Sequence, residues 1–433
     1  MFEIQRLGNP KIKSPLQLST VKGDNIFNFV NDEDRLVFDL SLGAYDHCLK
    51  NNEKPRCLEK AGPRQRIYFK PDQVTAAIVT CGGLCPGINN VIRGIVMALH
   101  YFYGVKNILG VPYGYEGLNP EMGHGFVDLT PDRVKDIHQF GGTILGSSRG
   151  GQDIQVMVDT LVDNNIQLLF AIGGDGTLKG ANAIGGEIMK RGLDISVVGI
   201  PKTIDNDIDI IDKSFGFETS FDIASPILRD AHNEASGAFN GISIIKLMGR
   251  DSGFIAASAA LAMPVVNFVL VPELDFDLYG KHGFLEALKK RLVEKHHAVI
   301  VVAEGAGQHL FEKERVRTDA SGNVQHDDIG LFLKDKIKEY FKESLPTTIK
   351  YIDPSYIIRS TAANSSDSVF CSSLAYHAVH GAMSGKTNFV VGKVNDKFVY
   401  LPITAVTSKR KKIDLESGFW FAVLQSTGQP FAM

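Results

Sequence analysis

The sequence predicts an α/β protein built as two facing, doubly wound lobes with parallel sheets, preceded by an N-terminal extension. Three observations lead there. Short, largely apolar runs recur from residue 74 onward, as strands covered on both faces require. Helix-length segments separate them, the alternation expected of βαβ units. Glycine-rich or acidic turns follow the runs directly, as in Gly173-Gly174-Asp175-Gly176-Thr177 after residues 168–172 and Pro201-Lys202-Thr203-Ile204-Asp205-Asn206-Asp207 after residues 195–200. Ligands of such sheets bind beyond the carboxyl ends of the strands, so both turns are expected at one cleft.

Composition narrows the class. A chain of 433 residues predicts two or three domains and ample core. Lys plus Arg number 46 against 49 Asp plus Glu, a net −3 that argues against nucleic-acid and membrane-surface partners and leaves any anionic ligand to local cations. The 43 glycines suit many strand-to-helix turns. Cys48, Cys57, Cys81, Cys85 and Cys371 form an odd set without a disulfide-like pattern, which favours a reducing compartment. The first residues hold no apolar signal core, and no run reaches the length of a membrane span, so a cytoplasmic protein is expected.

Residues 1–73, punctuated by Pro10, Pro15, Pro55, Pro63 and Pro71, lack the alternation and are taken as an extension wrapping the main body or a neighbouring subunit. The first lobe is expected over 74–216 plus about 360–390, the second over 217–359 plus about 391–433. Strands are predicted over 74–80, 168–172, 195–200, 242–247, 268–271, 298–303 and 347–351. Helices are predicted over 89–103, 220–235, 253–262, 284–297, 331–343 and 367–383. Thr130-Pro131 supplies an N-cap and a first-turn proline for a further helix.

The chemistry-bearing motifs fall where these strands end. Gly82-Gly83-x-x-Pro86-Gly87, between a strand and a helix, suits a phosphate cradle but lacks both the P-loop ending and the dinucleotide spacing. Cys81 and Cys85 flank it without other ligands and are read as small buried thiols. The glycines of the 173–177 turn let backbone N–H groups approach phosphate, and Asp175 is suited to a Mg²⁺ ion. Alone, that turn also fits NAD kinases and lipid kinases. Two carboxylates and an Asn within Thr203–Asp207 have no evident structural benefit, because Asp and Asn are poor strand and helix formers; a loop so acidic is suited to take a proton from an attacking hydroxyl. Met248-Gly249-Arg250, Glu304 and Tyr356-Ile357-Ile358-Arg359 likewise sit where apolar runs stop, with Arg250 suited to a phosphoryl oxygen. Ser147-Ser148-Arg149-Gly150-Gly151 offers a cation for transferring phosphate.

In this order, from about residue 74 to 400, the motifs resemble the phosphofructokinase family, whose lobes are Rossmann-like. The resemblance implies phosphoryl transfer to fructose 6-phosphate, giving fructose 1,6-bisphosphate, with Mg²⁺ as cofactor and a homo-oligomeric state. It implies that Asp205 is the base, with Thr203, Arg149 and Arg250 beside it, and that Asp175 binds the metal. It places Gly83, Arg149, Gly150, Gly174, Asp175, Gly176 and Thr177 on the donor. It places Thr203, Ile204, Asp205, Met248, Gly249, Arg250, Glu304 and Tyr356 to Arg359 on the sugar phosphate.

Two positions speak to the donor, and they disagree. Lys202 looks like the family's pyrophosphate-dependent branch, whereas Gly176 looks like the ATP branch. Gly176 is given the greater weight, since a carboxylate there would project charge onto the path of ATP. The combination resembles ATP-dependent members of the pyrophosphate-type clade, such as those of trypanosomatids, with a pyrophosphate-dependent enzyme as the alternative. One position departs from the bacterial pattern: the Arg nine residues before Arg250 is replaced by Gly241, with Lys350 as another basic group. The run Lys409-Arg410-Lys411-Lys412 is taken as a solvated surface run, with binding of an anionic effector as the alternative.

Overall fold

The computed structural model describes residues 2–311 and 325–433. The chain divides into two compact units. The first comprises Met1–Thr203, Ile208–Phe215 and Ser365–Lys409, and the second Ile204–Asp207, Gly216–Asn364 and Arg410–Met433.

The sheet of the first unit runs in the order Arg35–Val37, Cys57–Lys60, Lys397–Pro402, Phe389–Val394, Ser196–Pro201, Leu168–Gly173, Thr75–Thr80, Asn107–Val111, Val127–Asp128. Its central five strands, from Phe389–Val394 to Asn107–Val111, are parallel. All six residues of Thr75–Thr80, Leu168–Gly173 and Ser196–Pro201 are buried, which is why the sequence shows continuous apolar runs there rather than alternation. Helices Ile88–Met97, Ile154–Asp163, Asp175–Lys190 and Ser365–Met383 supply the cover. The chain passes from Thr75–Thr80 to Asn107–Val111 on one side and then returns to Leu168–Gly173 on the other. The order therefore reverses between Thr75–Thr80 and Leu168–Gly173, and ligands of open sheets bind at such a reversal.

Two features of this unit differ from the sequence expectation. Residues 391–409, assigned above to the second lobe, belong here. Phe389–Val394 and Lys397–Pro402 form an antiparallel hairpin closed by Asn395 (φ 50°) and Asp396 (φ 62°), the left-handed pair that a two-residue turn requires. The N-terminal stretch is also more structured than its prolines suggest: Cys57–Lys60 pairs with Lys397–Pro402 and extends the sheet. It is pinned by a buried ionic cluster. Lys386 Nζ lies 2.6 Å from Glu59 Oε1 and 3.1 Å from Asp32 Oδ1, while Arg64 reaches the same two carboxylates at 2.9 and 2.8 Å. Arg6 adds an ion pair to Asp32 at 2.9 Å.

Among the described residues the second unit holds four parallel strands in the order Phe268–Leu270, His297–Ala303, Gly241–Leu247, Thr348–Ile352. Side chains alternate between two cores, as strand geometry dictates. Val299, Val301 and Ala303 pack with helices Phe217–Ser236 and Phe254–Ala262. Ala298, Ile300 and Val302 pack with helices Phe284–Lys295 and Ile329–Phe341. The edge strand is tied by Gln429, which accepts from the Val269 N–H at 2.7 Å and donates to the Val269 carbonyl at 3.2 Å, satisfying polar groups that an open edge leaves bare. Gly241 starts its strand so close to the Ala235 carbonyl that no side chain fits there, which accounts for the missing arginine. Lys350 stands exposed on Thr348–Ile352.

Candidate active site

The predicted site residues gather in two groups, one in each unit. In the first unit, the ends of three adjacent strands meet through backbone hydrogen bonds. The Cys81 N–H donates to the Ile172 carbonyl at 3.0 Å, the Gly82 N–H to the Ser148 carbonyl at 3.0 Å, and the Lys202 N–H to the Gly173 carbonyl at 2.9 Å. Lys202, buried, sends Nζ across to the Gly83 carbonyl at 2.6 Å. Ser147 Oγ donates to the Gly82 carbonyl at 2.6 Å. A Cβ on Gly83 would stand 3.5 Å from Arg149 Nη2. Gly83, Arg149, Gly174, Asp175 and Lys202 are thus brought to one place, while Gly150 adopts φ +110°, a conformation open to glycine.

Asp175 is the first residue of helix Asp175–Lys190 and accepts an ion pair from Lys179 at 2.9 Å. The helix start is fixed from behind by buried Tyr115, whose hydroxyl donates to the Thr177 carbonyl at 2.7 Å. Gly173 is required here, because a Cβ would run into the Thr177 side chain. Gly176 is different: the space where its Cβ would lie is open. An anion beyond this turn would face the first N–H groups of the helix and the positive end of its dipole. The Cys81 thiol is pushed up to about 12 by burial, against weaker opposing help from the Tyr115 backbone and Lys202. Its burial is in keeping with a packing role.

In the second unit, Asp205 is held between two strand-end loops. The Arg250 N–H donates to Asp205 Oδ2 at 3.4 Å, and Ser252 Oγ to the Asp205 carbonyl at 2.9 Å. The Glu304 N–H donates to the Leu247 carbonyl at 2.9 Å and the Gly305 N–H to the Gly249 carbonyl at 3.0 Å, so the loop bearing Glu304 lies against Met248-Gly249-Arg250. Loss of solvent pushes the Asp205 carboxyl up to about 8; the charges of Asp207 and Glu304 add to the rise, and the Arg250 backbone and charge oppose it. Asn206 takes φ 56°, which turns Asp205 and Asp207 away from a regular strand.

Not every predicted sugar-site residue presents its side chain. Met248 and Ile358 are buried in the core, Ile204 is packed against it, and Gly249 (φ +132°) lends only backbone. Tyr356 and Arg359 lie on the short helix Ser355–Ser360, the Arg359 guanidinium 4.3 Å from the Tyr356 ring centre. Ile357 is exposed. The structure adds residues that the sequence did not assign to the site. Arg410 pairs with buried Asp207; the Lys411 N–H donates to the Asp207 carbonyl at 2.9 Å and its Nζ to Asn206 Oδ1 at 3.2 Å. Lys409 sits 3.7 Å from Asp209. The run read as solvated is therefore tied to the carboxylate loop, and no local pattern could have said so, since the contact spans about 200 residues of chain.

Among the described residues no group of three or more His, Cys, Asp or Glu is poised to hold a metal. Asp175 alone suits an ion carried largely by donor phosphates and water, the usual habit of Mg²⁺.

Comparison with known proteins places these groups in context. The phosphofructokinase family profile matches residues 75–382. An ATP-dependent 6-phosphofructokinase of Borreliella burgdorferi is 51% identical over 100% of this chain and 97% of its own length. One from Amycolatopsis methanolica is 45% identical over 99% and 95%. Among solved structures, a pyrophosphate-dependent phosphofructokinase from Marinobacter aquaeolei superposes with a TM-score of 0.68 at 20% identity, covering 82% of this chain and 92% of that one, a likeness of fold. The chain belongs to the phosphofructokinase family.

Proposed function

We propose that this protein is an ATP-dependent 6-phosphofructokinase whose base is Asp205. The observation that carries the reading is the seat of Asp205, whose Oδ2 accepts from the Arg250 N–H while the loop bearing Glu304 lies against the same turn; lost solvation there pushes its carboxyl upward. A base with affinity for protons near the working pH is what abstraction from a sugar hydroxyl needs. Asp205 takes the proton of the 1-hydroxyl of fructose 6-phosphate; the oxygen bonds to the γ-phosphorus; the bond to the β-phosphate oxygen breaks, leaving ADP and fructose 1,6-bisphosphate. Arg149 and Arg250 neutralise charge on the transferring group, and Glu304 and Arg359 orient the sugar phosphate. Asp175 would hold Mg²⁺, which when bound supplies charge neutralisation on the donor phosphates. Gly83, Gly150, Gly174, Gly176 and Thr177 bring the backbone to the donor.

ATP is favoured as donor by the relatives named ATP-dependent and by Gly176, which leaves the helix start without a second carboxylate. Lys202 favours the pyrophosphate reading, because a cation at that place can hold the end of a short donor; on that residue we place the chain as an ATP-using member of the pyrophosphate-type clade. In this chain Lys202 is engaged by the Gly83 carbonyl. A cytoplasmic location and a homo-oligomeric state belong to the same proposal, the first supported by buried Cys81, Cys85 and Cys371 as thiols, the second by resemblance. Among the described residues no helix is long and apolar enough to cross a membrane.

The test is product formation from fructose 6-phosphate and Mg²⁺ with either ATP or pyrophosphate. The proposal expects turnover with ATP and little with pyrophosphate. Robust pyrophosphate turnover with ATP inert would transfer the decision to Lys202.

A further inference from the structure

We propose that Arg410, with Lys411, is a positioning residue for the phosphoryl-transfer step: it neutralises Asp207 and so fixes the loop that carries the base Asp205. The inference rests on the reading of Asp205 given above and adds to it a residue from a distant part of the chain.

The geometry is specific. Asp207 is buried, 3% exposed, a place where a carboxylate without a counter-charge is unstable. Arg410 pairs with its Oδ2 through Nη1 and turns Nε toward Asp251 Oδ2 at 3.6 Å. Lys411 closes on the loop twice, at the Asp207 carbonyl and the Asn206 amide oxygen, and its ammonium lies 5.2 Å from the Phe254 ring centre. Two successive basic residues thus grip two successive loop residues. Asn206, at φ 56°, is a residue type that takes this left-handed turn readily, and the two basic residues hold the loop at its side chain and at Asp207.

Charge follows from position. The groups facing Asp205 are Asp207 on its own loop, Glu304 on the loop after His297–Ala303, and Arg250 after Gly241–Leu247. Asp207 in turn faces Arg410 and Lys411, and Arg410 faces Asp251. Removing Arg410 unmasks the Asp207 charge, so Asp205 holds its proton more tightly and the acid limb of the rate profile moves to higher pH. Removing Asp207 as well takes away the repulsion, and the limb moves the other way.

The experiment uses the full chain, fructose 6-phosphate, ATP and Mg²⁺, with pH profiles of kcat and separate Michaelis constants for Arg410→Gln, Arg410→Lys, Asp205→Ser and the double variant Asp207→Asn/Arg410→Gln. We expect Arg410→Gln to lower kcat roughly 10- to 100-fold, with the sugar KM within about threefold and the acid limb raised, as loss of orientation and of a nearby counter-charge predicts. Arg410→Lys should recover most of the rate, and the double variant should place the limb below that of the unmodified enzyme. An unchanged limb in Arg410→Gln, with or without a fall in rate, overturns the inference. Should that variant fail to fold, the double variant decides: a limb at or above that of the unmodified enzyme overturns it. Near-normal turnover in Asp205→Ser would instead remove the base assignment, a distinct failure.

Discussion

Asp205 carries a cost that its proposed role as base explains. An isolated Asp ionises near 3.8, whereas here the carboxyl is raised to about 8 by lost solvation and by Asp207 and Glu304. Between those values the native state binds a proton that the unfolded chain has released, so stability falls as pH rises from about 4 to 8. Asp205→Asn removes that term. The variant should unfold at a higher temperature than the unmodified protein at pH 8, with the gap closing by pH 4; an equal gap at both would deny the shift. Arg250 belongs to the same constellation from the substrate side. A charge-assisted bond is worth ~1.5–3 kcal/mol, so Arg250→Ala should raise the KM for fructose 6-phosphate roughly 10- to 150-fold. An unmoved KM would leave Arg250 as a structural neighbour of Asp205. Their positions after strands were legible in the sequence, because Asp205 follows the run 195–200 and Arg250 the run 242–247. Arg410 and Lys411 were not, since what they do is decided by which loop folds against them.

The helix Asp175–Lys190 and the turn before it behave as one unit. Gly173 allows the Thr177 side chain to pack under the turn, so Gly173→Ala forces a shift costing on the order of 1–3 kcal/mol. It should weaken ATP binding and lower the unfolding temperature together. Gly176→Asp separates those effects. Its Cβ meets open space, and an acidic side chain in the first helical turn is favourable to the dipole. That variant should keep its unfolding temperature while kcat/KM for ATP falls by about 100-fold or more, from repulsion of a few kcal/mol; undiminished ATP use would remove Gly176 from donor choice. Elements were legible in proportion to their apolar continuity: the runs at 168–172 and 195–200 became Leu168–Gly173 and Ser196–Pro201, within a residue or so. Asn107–Val111 passed unnoticed because it is short, half-exposed at its start and interrupted by Gly110. The hairpin of Phe389–Val394 with Lys397–Pro402 had a readable signal in Asn395-Asp396, which the lobe assignment overlooked.

At the scale of the whole molecule, the N-terminal stretch is bound to the first unit through charge as well as strand pairing. Lys386 is 1% exposed and its proton affinity is lowered by desolvation, only partly offset by Glu59. Removing one member of a buried ion cluster leaves the others uncompensated at a cost of about 3–5 kcal/mol. Lys386→Met should therefore lower the unfolding temperature markedly while the sugar KM stays near its original value; an unchanged melt would mean the cluster contributes little. Prolines hid this segment, because its partners lie more than 300 residues away in the chain. The strand ends that carry the candidate residues of each unit, by contrast, follow apolar runs visible in the sequence itself. The account turns on Asp205 as the base, and steady-state turnover of fructose 6-phosphate with ATP by Asp205→Ser measures it most directly. General-base loss predicts a kcat lower by ~10²–10⁴-fold with the sugar KM little changed; a kcat near that of the unmodified enzyme would contradict it.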